Sequence, residues 1–401
     1  MIRSARRVAG FGTTVFSEYS ALAARLGAVN LGQGFPDFDG PEEVKRAAIE
    51  AIERGVNQYA IGAGAEDLRR AVAEHAQRFY GMEVDPETMV TVTSGATEAL
   101  FDAVQGLTDP GDEVILFEPF YDSYEASVVM AGAVPRFVLL RPPDGAHSTW
   151  WFDANELRAA FGPKTRLLMV NTPSNPTGKV YTRAELELIR DLCEQHDTVV
   201  LTDEVYEHLV YAPARHLRPA TVPGLWERTV TVSSAGKTFG FTGWKVGWAI
   251  APPPLRSAVQ AAHQFVTFAT AAPLQAAVAR ALRLPDAYFD GLRAEYRGKR
   301  DLLADALVRA GLRTLPTEGT YFTMVEIPPE AGFDDDDAFC RWLTSEVGVA
   351  AIPPSVFYGA EHRAHGRRMA RFAFCKRDET LRTAAERIGS LAAKLRARRL
   401  A

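Results

Sequence analysis

The stretch VTVSSAGKTFGFTGWKVGW, residues 230–248, sets Lys237 and Lys245 among glycines and small residues behind a strand-like run. Ammonium groups are costly wherever backbone packs tightly, so the chemistry they serve is the first question. The AGKT segment is no phosphate loop of the G-x-x-x-x-G-K-[ST] type, because residue 231 is Thr231 rather than glycine. Ser234 and Lys237 match an S-x-x-K pattern, but the companion S-D-N and K-T-G elements of acyl-serine enzymes are missing. Taken alone, Lys237 reads as an exposed loop lysine.

Four other stretches carry chemistry. TSGATEAL (93–100) follows a strand and opens a helix, so its backbone N–H groups and hydroxyls suit an anion, or an ordinary Ser/Thr cap. NTPSNPTGK (171–179) ends a strand in a rigid Pro- and Gly-bearing turn that aims Asn175 into the crevice beyond the sheet. In TDEVY (202–206), Asp203 emerges at the sheet rim after an apolar run, where a carboxylate needs a cationic or N–H partner or else caps a helix. In MARFAFCK (369–376), Arg371 begins an alternating strand; arginine suits a two-bond grip on a carboxylate or a surface ion pair.

The elements that must position these residues alternate. Strands are expected at 89–93, 112–118, 133–140, 165–171, 198–204 and 229–234, with amphipathic helices between most of them, which means βα units and a mainly parallel sheet. Helices are expected over 41–55, with Pro41 at the first position, and over 66–80. The chain reads as helical with few breaks from 252 to 282, and again over 286–310. Strands near 321–327 and 369–374 and helices near 336–346 and 378–397 then suggest a smaller α+β part. The expected division is a large α/β domain over 41–285 and a small domain from both termini, 1–40 and 286–401. The acidic run 334–337 reads as the solvated first turn of a helix.

The 401 residues are 47% hydrophobic, with net charge −5 and pI near 6.0. That balance argues against nucleic acid or an anionic membrane as the main partner. There is no membrane-length apolar run and no signal-peptide core, and Cys193, Cys340 and Cys375 are scattered, so a cytoplasmic protein with inert thiols is expected. His362 and His365 have H-x-x-H spacing without a Glu or Cys partner in a recognised pattern, and no metal site is expected.

In order, VNLGQGFPDF (29–38), NQYA (57–60), SGATEAL, EPFYDSY (118–124), NTPSNPTGK, TDEVY, SSAGKTFGFTGWKVGW and RFAFCK span almost the whole chain. Together they resemble the fold-type-I, pyridoxal-phosphate-dependent aminotransferases of classes I and II, on the kynurenine/glutamine and methionine aminotransferase side. The resemblance implies that Lys237 forms the imine with the cofactor aldehyde and later moves the proton. It implies that Asp203 pairs with the pyridine nitrogen, that Asn175 and Tyr206 bond the phenolic oxygen, and that Tyr121 stacks on the ring. The phosphate is implied to sit on the amides of Gly95, Ala96 and Thr97, with Ser234 and Lys245. Tyr59 is implied to reach it from the second subunit of a homodimer with shared active sites. Arg371 is implied to clamp the substrate carboxylate, helped by Gly34. Phe16, with Phe357 or Tyr358, lines a side-chain pocket for a neutral, apolar or aromatic donor such as methionine, glutamine, phenylalanine or kynurenine. Kynurenine-type relatives carry tyrosine near Thr97 and tryptophan near Phe16, and this chain does not. A β-lyase acting on cysteine conjugates is the alternative on the same cofactor. A ligand-sensing regulator on this fold is a third reading; it is not expected, since the stretch before GQGFPDF (32–38) leaves no room for a helix-turn-helix domain and the net charge is negative.

Overall fold

The computed structural model describes residues 3–400. In chain order the N-terminal elements are α1 (Val15–Leu26), β1 (Val29–Asn30), α2 (Glu42–Glu53) and α3 (Glu66–Tyr80). The central run is β2 (Val90–Thr93), α4 (Ala96–Leu107), β3 (Glu113–Glu118), α5 (Ser123–Met130), β4 (Val134–Leu139), α6 (Ala154–Ala160), β5 (Thr165–Asn171), α7 (Arg183–Gln195) and β6 (Val199–Asp203). It continues through β7 (Thr229–Ser234), α8 (Ala235–Thr238), β8 (Gly247–Ile250), α9 (Pro253–Val266), α10 (Ala272–Leu282) and α11 (Asp286–Arg309). The last part holds β9 (Arg313–Thr314), β10 (Phe322–Glu326), α12 (Asp336–Trp342), β11 (Val349–Ala350), β12 (Met369–Ala373), α13 (Asp378–Ile388) and α14 (Leu391–Leu400).

Seven strands form one sheet in the order β2-β8-β7-β6-β5-β3-β4. All run parallel except β8, which is antiparallel to both β2 and β7. The α/β class with a mainly parallel, helix-flanked sheet is therefore as the alternation predicts. The interior strands are buried on both faces, as Val, Leu and Ile runs require under two helical layers. Register fixes what stands at the carboxyl edge: Asn171 pairs with Asp203, Asp203 with Val232, and Gly247 lies between Thr93 and Ser234. Among the described residues, no helix is long and apolar enough to cross a membrane.

A smaller sheet, β12-β10-β9, is antiparallel, and β1 pairs with β11 in parallel. The N-terminal strand thus joins C-terminal elements, and the Leu31 carbonyl accepts from the Ala373 N–H at 2.6 Å.

Several local expectations are corrected. Strand β8 was not foreseen, because its four residues follow a turn rich in glycine and carry no alternation of their own. Helix α1 was also passed over, although Thr14 caps its first turn by accepting from the Ser17 N–H and Gly27 closes it. The run 252–282 breaks at 267–271, where Phe268 takes a positive φ of 70°. The run 378–397 breaks after Gly389. Helix α12 stops at Trp342 and passes into a π-turn before Gly348. Pro41 sits at the N-cap rather than inside α2. In the acidic run, Asp335 caps α12, but Asp336 is buried and accepts from the Ser355 N–H at 2.7 Å. All three cysteines are buried and unpaired.

Helices α4 and α9 meet where Gly106 leaves room: a Cβ there would stand 2.4 Å from the Ala258 carbonyl oxygen. Gly106→Ala is expected to lower stability by about 1–3 kcal/mol through this backbone overlap. A urea melt showing a lower midpoint at unchanged slope checks it.

Candidate active site

At the carboxyl edge of the large sheet, against β10 and β12, lies a cavity of about 210 Å³. Its walls come from distant segments, among them Phe16, Gly95, Asp203, Lys237 and Arg371. Of the residues singled out from the sequence, Phe16, Gly34, Gly95, Ala96, Thr97, Tyr121, Asn175, Asp203, Tyr206, Ser234, Lys237, Lys245 and Arg371 all line it. Tyr59 does not. It is 84% exposed and packs edge-on against Phe268, ring centroids 5.4 Å apart.

Lys237 stands on the short helix α8, where the chain leaves β7, with its amine 5.7 Å from the ring centres of Tyr206 and Tyr321. Burial pulls its pKa down to about 8; the nearby positive charges of Lys245 and Arg371 add to this against Cys375 and Asp203. Asp203 is buried at the end of β6. Its Oδ2 accepts from the Tyr124 hydroxyl at 2.6 Å and its Oδ1 from the Val205 N–H at 3.2 Å. Burial raises its pKa against those two donors and Lys237, so the site holds a carboxylate short of positive charge. Tyr206 is buried, and burial raises its hydroxyl pKa. Burial, with Asp122 and Asp203 nearby, pushes Tyr121 up to about 12.

Arg371 is the most constrained cation. It is buried on β12, Nη1 donating to Asn175 Oδ1 at 2.9 Å and Nη2 to the Gly32 carbonyl at 2.8 Å, while Nε has no partner. Phe322, Phe357 and Phe16 surround the guanidinium at 4.1, 5.1 and 5.2 Å. Burial pulls its pKa to about 10, still a cation at neutral pH. Among the described residues no carboxylate forms an ion pair with it. A buried, hydrogen-bonded arginine facing a cavity without a counter-anion is a receptor for one.

A second anion receptor faces it. Helix α4 begins at Gly95, which holds φ 85° and offers no side-chain cap, so its first N–H groups open on the cavity. Gly247 packs under this turn so closely that a Cβ would fall 2.6 Å from the Ala96 nitrogen. Lys245, at φ 52°, brings its amine over the same turn: a Cβ on Gly95 would stand 3.2 Å from its Nζ.

Sequence reasoning missed Tyr124, Asn171, Phe322 and Tyr321. Tyr124 lies in the EPFYDSY motif and its spacing on α5 was available. Asn171 opens the NTPSNPTGK motif, yet only the tertiary structure brings its side-chain amide to donate to the Asp203 carbonyl at 2.9 Å. Phe322 and Tyr321 belong to an apolar strand with no chemical signature; the Tyr321 hydroxyl donates to the Gly34 carbonyl. Of the pair Phe357 and Tyr358, Phe357 packs on Phe16 and Arg371, whereas Tyr358 turns away into the core beside Met324 and Met369. His362 Nδ1 meets Glu118, whose other oxygen accepts from the Gly359 N–H at 2.6 Å.

The family described as aminotransferase class I and II matches residues 27–388. The chain belongs to that family. This aminotransferase is 49% identical to the N-succinyldiaminopimelate aminotransferase structure from Mycobacterium tuberculosis, with TM-score 0.93, over 97% of this chain and all of that one. It is 42% identical to the methionine aminotransferase of Escherichia coli K12, covering 95% and 96% of the two chains. It is also 42% identical to mouse kynurenine–oxoglutarate transaminase 3, covering 96% and 89%. The fold-type-I family to which the aminotransferase belongs is pyridoxal-phosphate-dependent.

In the cofactor-free aminotransferase, reductive methylation of Lys237 is expected to rise with pH through a midpoint near 8. Peptide mapping across a pH series measures it. A midpoint at the ordinary lysine value of about 10.4 would show that burial is not felt there.

Proposed function

We propose that this aminotransferase holds pyridoxal 5′-phosphate in the cavity and moves the amino group of a neutral, apolar or aromatic amino acid to a 2-oxo acid in two half-reactions. The observation that carries the donor class is Arg371, one buried guanidinium without a counter-anion inside an aromatic cage. Lys237 and Lys245 are the other cations lining the cavity; with Lys237 reserved for the cofactor aldehyde and Lys245 for its phosphate, none among the described lining residues is left for a side-chain carboxylate. The substrates after which the relatives are named, methionine, kynurenine and N-succinyldiaminopimelate, define the panel to test.

The residues fit the cofactor part by part. The uncapped α4 turn with Ser234 and Lys245 suits a phosphate dianion, and the charge-deficient Asp203 suits a cationic ring N–H. When bound, pyridoxal phosphate supplies an aldehyde for the amine and a cationic ring that draws off electron density from the substrate Cα. Asp203, held by Tyr124 and the Val205 N–H, keeps the proton on the ring nitrogen. Lys237, neutral in a large fraction near pH 8, would be the base that takes the Cα proton and returns it to the cofactor's former aldehyde carbon, two atoms along. Asn175 braces Arg371 through its Oδ1, so that the guanidinium's remaining N–H groups would serve an α-carboxylate, and Tyr206 and the Asn175 amide line the cavity where they would bond the ring oxygen. Phe16 and Phe322 give the cavity an apolar wall that would suit an apolar or aromatic donor side chain.

Tyr59 is exposed and packs on Phe268, and Ile52, Ile61 and Phe265 are further exposed apolar side chains. We read Tyr59 and Phe268 as part of the face of a homodimer that brings Tyr59 to the phosphate of the other subunit. We also assign residues 41–285 to the cofactor-binding domain and 1–40 with 286–401 to a small domain, and place the enzyme in the cytoplasm.

The test is an absorption spectrum of the purified protein before and after methionine, with no oxo acid present. Loss of the yellow band, with one equivalent of the matching oxo acid formed, is expected; pyruvate and ammonia from a cysteine conjugate would instead favour the β-lyase. No yellow form after incubation with pyridoxal phosphate would overturn the reading. Lys237→Ala is expected to abolish turnover while the fold survives. Arg371→Lys is expected to raise KM for amino donors about tenfold or more, since a lysine cannot make two parallel bonds.

A further inference from the structure

Behind the α4 turn, on the side away from the cavity, three ionisable side chains meet in the interior. Glu98 on the first turn of α4 accepts from the Ser94 N–H through Oε2, and its Oε1 lies 2.9 Å from Nδ1 of His263 on α9. A carboxylate can only accept, so Nδ1 carries the proton. Asp102, one turn further along α4, places Oδ2 3.7 Å from the same nitrogen. His263 and Asp102 are fully buried, yet His263 Nε2 and both Asp102 oxygens lack hydrogen-bond partners. Two carboxylates one helical turn apart, beside a turn built for an anion, repel each other and that anion unless a cation stands between them.

We infer that His263 and Glu98 are a positioning pair for the cofactor phosphate, Glu98 tying down the Ser94 amide and a cationic His263 cancelling the charge this brings. The inference rests on reading the α4 turn as the phosphate site. Glu98 is suited to its part: it is the third helical residue after the Gly95 cap, and folding back to Ser94 leaves the Ala96 and Thr97 amides free for the ligand. Thr270, in the break between α9 and α10, is 3.1 Å from Ser94 through their hydroxyls, so the turn is held from two sides. The protonation states agree. Burial works against both charges, but the hydrogen bond to Glu98, with Asp102 beyond it, raises His263, while bonds from His263, Thr267 and the Ser94 N–H lower Glu98. Burial and Glu98 push Asp102 up to about 7, so it holds a proton part of the time rather than adding a full second charge.

The variant that isolates the charge is His263→Asn, whose amide can still donate to Glu98. Pyridoxal phosphate is titrated into the cofactor-free protein, followed by absorbance, with pyridoxal as the phosphate-free control. His263→Asn is expected to weaken pyridoxal phosphate about tenfold at neutral pH and pyridoxal by less than about twofold, the size of one uncompensated charge across a turn. Adding Glu98→Gln, which keeps an acceptor for Ser94 and removes the charge, is expected to bring the affinity back to within about threefold of the parent. An unchanged affinity in His263→Asn would overturn the inference. So would a loss that Glu98→Gln does not recover, because packing damage is not repaired by deleting a charge. A parent protein that binds no pyridoxal phosphate at all would instead sink the reading of the site itself.

Discussion

The site depends on how closely β8 approaches the α4 turn. Gly247 is hydrogen-bonded between β2 and β7, and its missing side chain lets the turn at Gly95 and Ala96 lie directly against the sheet. The helix N-terminus is thereby held at fixed height above the carboxyl edge, where the ends of β5, β6 and β7 deliver Asn171, Asp203 and Ser234. A larger residue at Gly247 would lift the amides away from the other groups. The single antiparallel strand in an otherwise parallel sheet is what makes this contact, because it returns the chain from Lys237 and Lys245 straight under the turn.

Charge burial is the second organising feature. Lys237, Asp203 and Arg371 line one cavity, and each is held by neutral donors, acceptors or rings rather than by an ion pair. Pairing them with one another would lower their energy and quench the site. Geometry prevents it: Arg371 is fixed by β12 and the Asn175 turn, Asp203 by Tyr124, and Lys237 by α8. The resulting shifts, an amine lowered and a carboxyl raised, are both responses to desolvation and both make the groups eager for the opposite charge.

Two parts of the chain far apart in sequence complete the pocket. The parallel pair of β1 and β11 and the Leu31–Ala373 hydrogen bond carry the segment with Gly32, Gln33 and Gly34 onto β12. Gly34 is pressed so closely on Phe322 that a Cβ would stand 2.6 Å from the ring. The Gly32 carbonyl therefore reaches Arg371, and Phe16 from α1 reaches its guanidinium face.

Most of the large sheet was legible from the chain, since apolar runs bounded by turns and alternating with amphipathic helices have few other solutions. Lys237, Asp203, Asn175 and Arg371 were legible through the resemblance carried by their motifs taken in order; alone, each also fits a loop residue, a cap or a surface ion pair, and their meeting in one cavity follows from the fold. Strand β8 and the helix breaks at 267–271 and 389 were not, because such short features carry too little periodicity to outweigh tertiary contacts. Neither were Tyr124 and Asn171 as supports, nor the Glu98–His263 pair, whose members are 165 positions apart. The sequence by itself determined the class of fold and which side chains could do chemistry, since these follow from local pattern and residue type. Only the tertiary structure decided which of them meet, which are stripped of water and which, like Tyr59, stay outside, because strand register and burial arise from contacts between distant segments.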